Sequence, residues 1–108
     1  MKLVVIESPY AGDVERNKRY LQRCILDCLK RDESPYASHQ MLTDALRDAD
    51  PEERALGIEA GFAWAPAADL IVFYVDYGTS AGMQKAHDWH VAEGRDNIEF
   101  RCIGENEQ

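Results

Sequence analysis

The sequence predicts an α/β protein: one doubly wound, three-layer domain around a mostly parallel sheet of four or five strands. Three observations predict it. Apolar runs near 2–7, 69–76 and 98–103 alternate with segments of helical period, a βαβαβαβ order that calls for right-handed crossovers. The run from Leu70 to Val75 has no polar alternation, the mark of a strand buried on both faces. That run ends at Asp76 and passes through the turn Tyr77–Gly82 into a helical pattern. In open α/β sheets ligands sit where strand C-termini feed helix N-termini, because free backbone amides point into the crevice there.

Taken in order, the first strand covers Lys2 to Glu7. Ser8 to Gly12 turn the chain, and Asp13 is placed to cap a helix from Val14 to Arg31. Tyr20, Leu21, Cys24, Ile25, Cys28 and Leu29 recur on one face of it, and Lys30 and Arg31 suit its negative end. Pro35 to His39 reads as the second strand, and 41–49 as a short helix or an excursion over the site. Asp50-Pro51-Glu52-Glu53 is the strongest helix start, with an acidic N-cap, proline at N1 and glutamate at N3 in an aspartate form of the capping box. That helix runs to Trp64 or Ala65 and stops before Pro66. The third strand is 69–76. A third helix from Ser80 to Glu93 closes on Gly94 at C′, and Ile98 to Ile103 form the last strand before a polar tail. No linker divides residues 1–108. A flavodoxin-like order sets the first strand between the second and third, so Ser8–Gly12 meets Asp76–Gly82 at the switch point.

A chain of 108 residues, 45% hydrophobic and 30% charged, has the size and composition of one soluble globular domain. No apolar run approaches the roughly 20 residues of a membrane span. Met1 to Ile6 meets Glu7 too early for a signal peptide, so a cytoplasmic location is expected. The net charge of −8 argues against nucleic acid or an anionic membrane as partner. A small molecule remains the expected partner, and a local cluster of amides can still hold its phosphate. Cys24, Cys28 and Cys102 read as free thiols, with no spacing that suits zinc and no cofactor called for.

The turns carry the candidate chemistry. Asp76 can accept hydrogen bonds from ribose hydroxyls or a base edge, or cap its own turn. Gly78, Ser80 and Gly82 can free amides at a helix start, although neither the Walker nor the Gly-x-Gly-x-x-Gly spacing is present. Tyr10 follows Pro9 and can stack on a base. Glu7 ends a strand, where a carboxylate is expensive to bury unpaired, and Arg54 and Arg16 are its expected partners if it faces a helix. Glu59 is the alternative carboxylate, on the second helix. His39 can touch a ligand or exchange protons near neutrality. His87 and His90 lack a third ligand for a metal. Phe62, Trp64 and Trp89 read as core or subunit-contact aromatics.

Several of these residues form a longer pattern: Ile6 to Asp13 with Ser8-Pro9-Tyr10, then Ser38-His39, then Glu52-Glu53-Arg54 with Gly57-Ile58, then Asp76, Gly78, Ser80, Gly82 and Met83. From residue 3 to 103 the chain resembles the nucleoside 2-deoxyribosyltransferase-like superfamily, above all its small phage-type members. The resemblance implies a site for a nucleoside or nucleotide, ADP-ribose-type molecules included, built from Ser8, Pro9, Tyr10, Gly12, Asp13, His39, Asp76, Gly78, Ser80, Gly82 and Met83. The family's enzymes attack the sugar with a glutamate four residues beyond the glycine of the Ser-x-Gly turn. That position is Ala86 here, so binding without the covalent transfer is expected, and sequestering a nucleotide signal as phage counter-defence is one form of it. A divergent N-glycosidase or deoxyribosyltransferase using Glu7 or Glu59 is the alternative, and an acidic protein-interaction module a third reading. Homo-oligomers are common in the family, and 41–49 with the aromatics of the second helix is the expected contact.

Overall fold

The computed structural model describes residues 1–38, 45–47 and 49–104. Strands β1 (Lys2–Glu7), β2 (Glu33–Tyr36), β3 (Leu70–Tyr74) and β4 (Ile98–Arg101) form one sheet in the order β2-β1-β3-β4. Every neighbouring pair is parallel, with Val5 opposite Tyr36 and Ile71, and Phe73 opposite Glu7 and Phe100. This is the flavodoxin-like α/β arrangement, with β1 and β3 innermost. Pro35 lies on the edge strand β2, where a missing backbone donor is tolerated.

Among the described residues, the long helices are α1 (Val14–Lys30), α2 (Pro51–Phe62) and α3 (Ala81–Ala92). Each begins on a side-chain cap. Asp13 accepts from the Arg16 amide, Asp50 from the Glu52 and Glu53 amides, and Ser80 from the Met83 amide. Glu53 departs from the expected capping box. Its carboxylate turns outward, taking the Arg47 amide at 2.6 Å and the Arg47 guanidinium at 3.0 Å. Gly94 follows α3 at φ +80°, the left-handed conformation expected of a C′ residue.

The two inner strands feed two cores by strict alternation. Val4, Ile6, Val72 and Tyr74 face α1 and pack on Tyr20, Leu21, Cys24 and Cys28. Val5, Ile71 and Phe73 face the other way, onto Ala65, Met83 and Ala86. All four residues from Ile71 to Tyr74 are fully buried, which burial on both faces of β3 requires. Each large side chain there contributes about 1.5–3 kcal/mol by area, as an upper estimate.

Several boundaries differ from expectation, β3 among them, which is Leu70–Tyr74 where 69–76 is expected. β2 starts at Glu33 and ends at Tyr36, so the strand lies two residues earlier than Pro35–His39. A buried glutamate opens it, held by a partner 68 residues away. α2 ends at Phe62, after which Pro66 sits inside a short 3-10 turn, Ala65–Ala67. β4 stops at Arg101 because Ile103 and Gly104 give their amides to Asp76 instead of a ladder. Among the described residues no helix is long and apolar enough to cross a membrane.

Candidate functional site

The C-terminal end of β1 turns at Ser8, and the loop that follows is fixed from beneath. Asn17, buried on α1, donates its side-chain amide to the carbonyls of both Tyr10 and Ala11 at 3.0 Å. On the neighbouring strand, Gly78 at φ +82° swings the chain from β3 to the Ser80 cap of α3. Ser80 satisfies the Met83 amide, and the amides of Ala81 and Gly82 lie in the first turn, where no intrahelical acceptor exists.

These two connections open onto one cavity of about 510 Å³, walled on its far side by α2. Its floor is Glu7, Ser8 and Ala86, its α3 wall Ser80, Gly82, Met83 and Lys85, and its α2 wall Arg54, Gly57, Ile58 and Phe62. Tyr10, Ser38 and Leu46 complete the rim. The volume lies within the range usual for small-molecule sites, and mostly apolar walls with a few polar groups match them in chemistry. Arg54 and Lys85, without an ion-pair partner among the described residues, share the lining with two carboxylates, Glu7 and the Arg47-paired Glu53.

Of the residues expected at a site, Glu7, Ser8, Tyr10, Ser80, Gly82 and Met83 line this cavity. Pro9 is buried beside it, while Gly12 and Asp13 are exposed, the former holding a φ of +94° and the latter capping α1. His39 lies outside the described residues. Glu59 does not share the cavity: it lines a separate, open groove between α2 and α3 with Trp89 and Arg95. Arg54, Phe62 and Lys85 were not anticipated as lining. The spacing of Arg54, Gly57 and Ile58, at i, i+3 and i+4, is the signal that puts them on one helical face.

Asp76 requires a correction. Its carboxylate is spent inside the protein, accepting from the Tyr20 hydroxyl at 2.5 Å and from the amides of Ile103 and Gly104 at 3.0 and 2.9 Å. The Tyr20 oxygen in turn accepts from the Asp76 amide at 2.9 Å. Burial pushes the Asp76 carboxyl up, but these hydrogen bonds outweigh it and hold the group below the usual carboxylate range. Asp76 therefore ties the end of β3 to the end of β4, with both oxygens accepting hydrogen bonds from within the protein. The alternative in which Glu7 faces a helix and pairs with Arg54 or Arg16 also differs: the side chain near its carboxylate is His90, with Nε2 3.6 Å from Oε2.

No curated protein and no solved structure matches this sequence. Residues 2–101 do match a family described as a domain of unknown function. The match spans nearly all of the fold set out above, and the chain therefore belongs to that family, DUF7768.

Proposed function

We propose that the cavity between β1, α2 and α3 binds a nucleoside or nucleotide-type small molecule. The observation that carries this reading is the convergence of two distant connections, Ser8–Ala11 and Ser80–Met83, on a cavity of about 510 Å³. Glu7 offers an acceptor for a sugar hydroxyl, Phe62 and Ile58 offer apolar surface for a base, and Arg54, Lys85 and the α3 amides suit a phosphate. The sequence resemblance to nucleoside 2-deoxyribosyltransferase-like proteins points to the same ligand class.

The test is calorimetry and thermal shift with adenosine, AMP and ADP-ribose on the wild-type chain and on Ala86→Leu. Ala86 is 3% exposed on the cavity floor, so leucine there fills ligand space. Binding to the wild type that is lost in a folded Ala86→Leu supports the reading. No heat and no shift with any of the three overturns it. Mass spectrometry of small molecules retained on purification tests the narrower form, in which the protein sequesters a nucleotide signal.

A second reading, hydrolysis of an N-glycosidic bond, is favoured by Glu7, a carboxylate on the floor of the same cavity. Free base released by the wild type and not by Glu7→Gln supports it; bound nucleoside recovered intact rejects it. Self-association is the expected state in solution. Leu56, Ile58 and Trp64 are each more than half exposed on or just after α2, and light scattering at micromolar concentration tests the point.

A further inference from the structure

His90 is the least explained residue of the fold. It is 1% exposed on α3, and neither ring nitrogen has a hydrogen-bond partner among the described residues. Its ring sits in an aromatic cage, with Phe62, Phe73 and Trp89 centroids at 5.9, 6.3 and 5.1 Å. A phenylalanine would fill that cage without stranding two nitrogens. Buried polar atoms left without partners are rare in native proteins, because each forfeits its hydration and gains nothing back. The polar group that does face the ring is the Glu7 carboxylate at 3.6 Å, within ion-pair reach and longer than a hydrogen bond. Glu7 has no other polar partner among the described residues, and it lines the cavity.

We propose that His90 is a positioning residue for Glu7. In this role the imidazole, with Nε2 3.6 Å from Oε2, restrains the carboxylate on the cavity floor and leaves Oε1 to accept from a donor group of the ligand. That donor is a sugar hydroxyl or an exocyclic amine, since both meet a fixed carboxylate oxygen in the same way. The proposal rests on the cavity being a ligand site, as argued above, and assigns the pair that selects for a hydrogen-bond donor.

The experiment uses adenosine as probe with His90→Phe, His90→Gln and Glu7→Gln. His90→Phe is expected to raise the melting temperature while weakening adenosine at least about tenfold, the loss of one charge-assisted contact. His90→Gln keeps an N–H near the same place and is expected to recover part of the affinity. Comparison with 2′,3′-dideoxyadenosine and inosine separates the two donors: the analogue lacking the relevant group binds weakly to the wild type and loses nothing further in His90→Phe. In the ligand-free protein, the ring ¹⁵N signals of His90 are expected to move in Glu7→Gln. Unchanged ring signals there, or unchanged adenosine affinity in a folded His90→Phe, overturn the proposal. So does a His90→Phe that loses stability and affinity together, the behaviour of a merely structural histidine. If the wild type binds no probe the cavity reading fails, and the ring signals still decide whether the two groups are coupled.

Discussion

The two faces of the sheet handle polar groups in opposite ways. Beneath α1, polar atoms are buried and satisfied. Arg101 of β4 meets Glu33 of β2 through two contacts at 2.8 and 2.9 Å, with both side chains 8% exposed, so a bidentate ion pair joins the two edge strands. The Tyr74 hydroxyl, between them and α1, donates to Asp27 at 2.7 Å and contacts Arg101 and the Cys28 sulfur. Tyr20 and Asp76 form the second such knot. Beneath α2 and α3 the packing is aromatic, His90 is left without a hydrogen bond, and a cavity opens beside it. Satisfied networks rigidify a layer, whereas buried polar atoms without partners are rare and call for an explanation. The contrast sets a face of satisfied polar networks against the face that carries the proposed site.

The comparison can be broken most severely at Arg101. Arg101→Ala strands a buried carboxylate and is expected to destabilise by about 3–5 kcal/mol in urea denaturation, far more than the paired replacement Glu33→Leu/Arg101→Met. Tyr20→Phe leaves the Asp76 carboxylate and amide one partner short, a loss of about 1–3 kcal/mol by the same measurement. The α1 face also predicts acid sensitivity. The Arg101 hydrogen bond holds the Glu33 carboxyl low, and hydrogen bonds overcome burial to do so for Asp76. Groups whose folded values lie below their unfolded values stabilise fully above the unfolded range and lose that contribution as pH falls. Urea midpoints are therefore expected to drop below about pH 4, and to drop less in Asp76→Asn.

Smaller effects sharpen the other face. At Gly61 an added Cβ would meet Ser38 Oγ at 2.5 Å and Cβ at 2.9 Å, so Gly61→Ala is expected to cost about 1–3 kcal/mol. Gly82 has open space around it and an ordinary helical backbone. Gly82→Ala is expected to raise stability by about 0.4–1 kcal/mol while weakening any ligand that enters the cavity.

What the sequence made legible was local. The caps Asp13 and Asp50, the C′ glycine and the doubly buried β3 all follow from a few adjacent residues. What it hid depended on partners far along the chain. Glu33 falls outside the expected strand because its partner Arg101 lies 68 positions away, and Asp76, open between a ligand role and a turn cap, accepts instead from Ile103 and Gly104, which close over it only in the fold. For Glu7 the sequence leaves open a place in the crevice or an arginine partner, and nothing in the spacing of α3 reveals that His90 turns inward toward it. Two of the anticipated connections converge; the third expected member, His39, is outside the described residues.

The thiols offer a way to watch the rigid face move. Burial pushes the Cys24 and Cys28 thiols above the usual range, which suppresses the reactive thiolate, while Cys102 is exposed beyond β4. A maleimide at neutral pH is therefore a single-site tag on this chain, and the slow consumption of the remaining two thiols becomes a clock for how often α1 lifts away from the strands.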